Sequence, residues 1–339
     1  MLRESHPGLA AMFEDKLQKG IYITTTYSGL GTAEVACRLL QAGATIVPKG
    51  KGFIAYSACD SSIASQYLLQ TMKEAPKHLF TDVLHRIPTD VAAQARVILE
   101  DTLSEAKAED VAAKKVGRRE RKKRYGMRLV NDLIDLFNGV RHPRAAHCEK
   151  CFGFCTIDPK ARRDAGCDSA GDGDGDAAYH LEVAGLTCVA WSKLRGGDRS
   201  FEGDWLHAST LPAVAWAMWV RDCQPHFAVA ENVVGFDFKT LLGILGKDGL
   251  YDGMEFNFSP RQLGIPSSRM RKYMFFYLRK HFKLSIDSVS FRPTFSEVFF
   301  RCCTVDASIY LIATPEEVKM YKNRSLKETL FPKPWQCPH

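Results

Sequence analysis

The chain has 339 residues, 45% of them hydrophobic and 25% charged, with a formal net charge of +7. Its apolar content suffices for one large domain or two modest ones. No run of about 18 apolar residues occurs, which argues against a membrane span, and the charged opening MLRESHPGLAAMFEDKLQKG lacks the apolar centre of a secretory signal. Eleven mostly scattered cysteines therefore point to a reducing compartment, as thiols or metal ligands. The excess of base suits a polyanionic partner without requiring one.

Taken in order, IYITTT (Ile21 to Thr26) reads as strand, YSGLGT as a glycine turn and AEVACRLLQA as helix. GFIAYSA then reads as strand, SSIASQYLLQTM as helix and HLFTDV as strand. This alternation predicts a mostly parallel sheet with helices on both faces, a Rossmann-like α/β class. From about residue 84 to 178 the rhythm breaks. Val91 to Ala113 has the look of an alanine-rich helix, and nine Lys or Arg follow between Lys114 and Arg128. A cysteine cluster, HCEKCFGFC, and the tract GDGDGD complete the break, read as a surface insertion. Alternation resumes with YHLEVAGLT as strand, LPAVAWAMWVRDC as helix, HFAVAENV as strand and YMFFYL as the last regular segment.

The chemistry-bearing residues gather at predicted strand ends. YSGLGT lies between strand and helix, where glycines let backbone approach a nucleotide; a plain tight turn explains it too. Asp60 and Asp82 follow the next two strands, placed to meet a ribose hydroxyl and an adenine edge, or only solvent. Cys188 ends the strand of GLTCVAWS, and a thiol there is either packing or a nucleophile. Glu231 and Asn232 end the next strand, where a carboxylate with few solvent partners can donate a proton, or cap a helix. Arg269 and Arg271 stand two apart on one face of an extended segment.

Together YSGLGTAE, LFTDV, GLTCVAWS, FAVAENVVGF and LGIPSSRMRKYMFF resemble, in order and spacing, the motifs of cytosine-C5 DNA methyltransferases. The resemblance implies a methyltransferase domain over residues 1–280, S-adenosylmethionine as cofactor, and methyl transfer to cytosine C5 in DNA. It implies that Cys188 attacks carbon 6 of a flipped-out base, that Glu231 hydrogen-bonds the ring N3 and amine, and that Asn232 shapes the Glu231 loop. Arg269 and Arg271 support the base and the thiolate, and Ser192 faces a phosphate. Tyr27 lies against the adenine, Gly29 and Gly31 leave room for the methionine portion, and Ser28, Leu30 and Thr32 complete that cofactor loop with Asp60 and Asp82. A nucleic-acid enzyme with a basic run is expected in the nucleus. A branch of the family acts on tRNA, so RNA is the alternative substrate; a catalytically silent binder is the other.

Several positions depart from the family pattern. Thr187 replaces a Pro, Val189 a Gln and Ser267 a Gln. Residues 281–339 hold no Gly-Asn segment, giving the expectation of a truncated or divergent target-recognition region. Within the insertion Cys148, Cys151 and Cys155, with His147 adjacent and Cys167 beyond, offer a C-x2-C start to a zinc site, but a second tight pair is missing and no metal is assigned. The basic run suits phosphates, an import signal or a solvated helix face. GDGDGD reads as linker, since the twelfth position from Asp172 is Val183 rather than Glu.

Overall fold

The computed structural model describes residues 7–29, 31–43, 52–72, 75–113, 117–143, 145–159, 179–192, 204–265, 267–283, 288–300 and 302. The first half comprises α1 (Pro7–Lys19), β1 (Ile21–Thr26), α2 (Thr32–Gly43), β2 (Phe53–Cys59), α3 (Ile63–Thr71) and β3 (His78–Phe80). Two long helices follow, α4 (Thr89–Ala112) and α5 (Arg118–Phe137), then a hairpin of β4 (Ala145–Cys148) and β5 (Gly153–Thr156). The remainder is β6 (Tyr179–Gly185), α6 (Thr210–Cys223), β7 (Phe227–Asn232), α7 (Phe238–Leu245), β8 (Tyr251–Phe258), β9 (Arg271–Leu278) and α8 (Ser288–Phe299).

The seven-stranded sheet has the order β3-β2-β1-β6-β7-β9-β8. β1 lies parallel between β2 and β6, and its β-branched IYITTT is buried on both faces, as a central parallel strand must be. The chain runs outward from β1 to β3, then returns to the other side of β1 for β6 and β7. Right-handed crossovers leaving β1 in opposite directions put helices on both faces. The reversal between β1 and β6 is a topological switch point, and in such folds the crevice that takes ligands lies at the carboxyl edge beside it.

The break in alternation is not a surface loop. Val91, Ala95 and Leu99 of α4, and Leu129, Leu133 and Phe137 of α5, belong to the same buried cluster as Trp216 and Trp219 of α6. This explains LPAVAWAMWV, which is apolar all round because α6 has the sheet on one side and α5 on another. Packing is close there: a Cβ on Gly126 of α5 would come within 2.9 Å of the Leu206 backbone nitrogen. A helix with one apolar stripe is hard to tell from a solvated one when its first three turns carry seven bases.

One ion pair lies in this core. Glu182 of β6 accepts from Thr26 Oγ1 at 2.5 Å and Trp216 Nε1 at 2.9 Å, and Thr24 Oγ1 also donates to it. Arg86 Nη1 stands 3.5 Å from the same carboxylate, with the two side chains 1% and 0% exposed. The guanidinium lies 4.0 Å over the Trp219 ring, a cation–π contact that suits a cation removed from water.

β8 was not anticipated. YDGMEFNF pairs antiparallel with β9, and Phe258 stacks on Tyr273 at 4.1 Å between centroids. Phe291 and Phe295 of α8 pack against Phe256, giving this edge its apolar cover. The expected recognition region, 281–339, lies for the most part outside the described residues, as do Cys167 and GDGDGD.

Candidate active site

The carboxyl edge at the crevice begins with the turn after β1. Tyr27, Gly29 and Gly31 all take positive φ, 56°, 55° and 73°. Glycine adopts such angles freely, whereas Tyr27 holds one only because its surroundings impose it. Ser28 Oγ accepts from the Cys59 backbone N–H at 3.1 Å and donates to the Cys59 carbonyl at 3.2 Å, locking the turn to the end of β2. Asp60 uses both carboxylate oxygens on backbone, accepting from Gly29 N–H and Ser62 N–H at 2.8 Å each. Asp82 accepts from Leu84 N–H at 2.9 Å and caps the short helix after β3. Thr32 opens α2, and Leu30 lies outside the described residues.

Sequence reasoning passed over Glu34, two residues into α2. It is 6% exposed, accepts from Thr25 Oγ1 at 2.6 Å, and leaves Oε2 without a hydrogen bond. Burial pushes its carboxyl above the ordinary value. Protonation therefore favours the folded state: the benefit is complete below the ordinary carboxylate range and is lost as pH rises through the raised value. Glu34→Gln should flatten that fall, measured as urea midpoints at about pH 5 and about pH 8. An unchanged pH dependence would remove Glu34 from the explanation.

The second part of the edge is built by β6, β7 and β9. Parallel pairing sets Gly185 opposite Glu231, so Cys188, three residues past Gly185, leaves the sheet beside the Glu231 strand end. At Gly185 a Cβ would stand 3.2 Å from the Tyr27 carbonyl, so this strand end also adjoins the glycine turn. Cys188 is a free, half-buried thiol. Its loop is fastened twice. Asn232, 1% exposed, donates from Nδ2 to the Leu186 carbonyl at 3.1 Å and accepts from Val233 N–H at 2.7 Å. Trp191, whose N–H donates to the Cys188 carbonyl, packs its ring 5.1 Å from Phe236 and 5.4 Å from Trp205.

Arg271 opens β9 and brings Nε to 2.6 Å from Glu231 Oε1. Burial pushes the Glu231 carboxyl above its ordinary value, while the charge of Arg269 pulls it back. Arg269 itself is exposed; its backbone N–H donates to Ser259 Oγ at 3.2 Å. Ser259 and Gln262 form a capping box, a Ser-x-x-Gln signal that the sequence reading passed over. Lys272, also missed, donates to the Phe236 carbonyl at 2.8 Å and so ties the loop after β7 to β9. Ser192 follows Trp191 in the Cys188 loop and is half-buried.

Replacing Asn232 with Ala strands the Leu186 carbonyl and the Val233 N–H together. The expected loss is about 2 kcal/mol of stability, from the desolvation cost of buried unpaired groups. Urea denaturation checks it; a loss under about 0.5 kcal/mol would mean that water replaces the amide.

Part of the basic run is engaged in ion pairs. Arg121 Nη2 pairs with Asp110 at 2.8 Å, Arg124 Nη2 with Glu109 at 2.6 Å and Arg128 Nη2 with Glu105 at 2.6 Å. These three arginines are thus held by acids of α4. Among the described residues no helix is long and apolar enough to cross a membrane.

No family model and no curated relative matches the chain. Solved structures similar to it include a protein named as a DNA modification methyltransferase from an E. coli prophage, at 13% identity and TM-score 0.37, over 79% of this chain and 49% of that one. Others are the S. pombe Dnmt2 methyltransferase (12%, 0.36, 79% and 52%) and the Entamoeba histolytica methyltransferase EhMeth (14%, 0.37, 80% and 56%). The chain spans about half the length of these proteins.

Proposed function

We propose that this chain is an S-adenosylmethionine-dependent methyltransferase of the cytosine-C5 type, acting on DNA. The observation that carries the reading is the meeting of three separate strand ends: the Cys188 loop after β6, Glu231 at the end of β7, and Arg271 2.6 Å from it at the start of β9. Order in sequence and the neighbouring strand ends are independent observations, and both support the reading.

The crevice suits the cofactor. A Cβ at Gly29 would meet nothing within 4 Å, so the space over the turn is open. Tyr27, Gly29 and Gly31 would hold the methionine and adenosine portions, with Asp60 keeping the turn in shape and Asp82 at the far strand end. Bound there, the sulfonium supplies an electrophilic methyl group.

The chain's own residues handle the base. The Cys188 thiolate forms a bond to C6, and the electrons of the C5–C6 double bond shift into the ring as Glu231 delivers a proton at N3. Carbon 5 would then be nucleophilic enough to accept the methyl group that a bound cofactor would supply. Loss of the C5 proton to a water molecule, expulsion of the Cys188 sulfur as thiolate and return of the N3 proton to the Glu231 carboxylate restore the neutral aromatic ring. Arg271 holds the Glu231 side chain in place before the base arrives. The target must leave the helix stack, because neither face of C6 is open to a thiolate inside a duplex.

The test is trapping. With fluorine at C5 the last proton cannot leave, so a DNA duplex bearing 5-fluorocytosine should give a covalent complex on denaturing gels when the cofactor is added. An adduct on RNA alone would move the substrate to RNA. Cofactor binding with no adduct on either would make the chain a silent binder and overturn the enzymatic reading.

A further inference from the structure

Away from the crevice, at the other end of β3, four soft or borderline ligand atoms converge. Cys148 ends β4, Cys151 lies in the hairpin turn and Cys155 is on β5. The fourth member is His78, the first residue of β3, some seventy residues earlier in the chain. All four ligand atoms lie within 4.8 Å of one another. Cys151 Sγ stands 3.6 Å from His78 Nδ1 and Cys148 Sγ 4.0 Å from it. Tetrahedral zinc with ordinary Zn–S and Zn–N bonds spaces its ligand atoms by about 3.5 to 3.8 Å.

The surroundings are built to hold that arrangement. The Leu79 backbone N–H points at Cys148 Sγ, 3.4 Å away, a contact that suits a thiolate. Glu149 N–H donates to the Leu79 carbonyl at 2.9 Å, and Lys150 Nζ donates to the Pro76 carbonyl at 2.8 Å, so the turn is clamped on β3. Phe152 takes φ 54° to close the turn after Cys151. His147, the neighbour that sequence spacing suggested, is not in the cluster; its Nδ1 lies 3.3 Å from Glu149 Oε1 and the side chain is half-exposed.

We infer that His78, Cys148, Cys151 and Cys155 form a four-ligand structural zinc site that staples the β4–β5 hairpin to the edge strand of the main sheet. Three thiolates and one imidazole select zinc over hard cations such as magnesium or calcium. Four protein ligands leave no open position, which excludes a water-activating role. The site lies at the amino end of β3, whereas Asp82 and the crevice lie past its carboxyl end. Its function is therefore to hold in place an edge strand of only three residues.

Metal content of the full chain, purified without chelator, tests this directly. About one zinc per chain is expected, and Cys151→Ser or His78→Ala should each lower it to under about a tenth. Cys302→Ser should leave it unchanged. Should a ligand variant fail to fold, cobalt added to the zinc-stripped wild type provides the second reading. It should give the intense visible bands of a tetrahedral, thiolate-rich site, removed by one equivalent of zinc. A wild-type chain that carries no zinc and gives no such cobalt spectrum overturns the site, as does a folded Cys151→Ser variant that keeps its full metal content. Neither result depends on methyl transfer, so this inference and the enzymatic proposal fail separately.

Discussion

Cys188→Ala should abolish both the covalent complex and methyl transfer, with an expected drop in rate of at least about four decades. The magnitude follows from removing a group that splits one difficult step into two, where losses near a millionfold are known for other covalent nucleophiles. Alternatives to covalent attack predict far less. If Cys188 only filled space in its half-buried position, alanine would cost stability through lost packing and leave turnover within a few fold. Single-turnover rates with excess enzyme separate the two, because they report chemistry rather than binding or release. Cofactor binding serves as the internal control: it should survive the substitution, since the glycine turn is on β1 and the thiol is on the loop after β6. Residual transfer above about one per cent of wild type would sink the proposed role of the sulfur.

Glu231→Gln should slow the same step by about two to four decades, the range typical of a positioned acid or base. Its pH dependence is the more telling measurement. Under the proposed mechanism the protonated carboxyl is the active form, and burial already pushes Glu231 above its ordinary value. A raised value extends the protonated form toward higher pH, and activity is lost as pH climbs through it. Glutamine cannot titrate, so the variant should be slow at every pH and lack that alkaline decline. A variant that is slow yet keeps the wild-type profile would assign the decline to another group. The 2.6 Å contact from Arg271 adds a second handle, because Arg271→Ala frees the carboxylate from its ion pair and should move the decline to higher pH.

Local pattern was informative wherever the physics is local. IYITTT, AEVACRLLQA, YHLEVAGLT and HFAVAENV announce β1, α2, β6 and β7 because β-branching and apolar period act over a few residues. Glycines at the β1 turn were legible for the same reason, since only an L-residue under strain shares their positive φ. The Cys and Glu-Asn segments were read as candidate chemistry and assigned by the alternating rhythm to one edge of a parallel sheet, whereas Arg-x-Arg was placed only on one face of an extended segment.

Register and packing were decided only in three dimensions. Nothing in the order of residues says that Gly185 faces Glu231, or that Arg271 rather than Arg269 makes the ion pair. The helices of the long break, which by composition belonged on the surface, contribute to the main core because their apolar stripes meet α6. Arg121, Arg124 and Arg128 of the basic run pair with acids one helix away, across 11 to 23 residues, which no short window detects. His78 joins three cysteines that lie seventy residues downstream, although the nearer His147 was the natural candidate. In each case the deciding contact joins residues far apart in the chain, so it exists only once the sheet has set which strand ends and loops are neighbours.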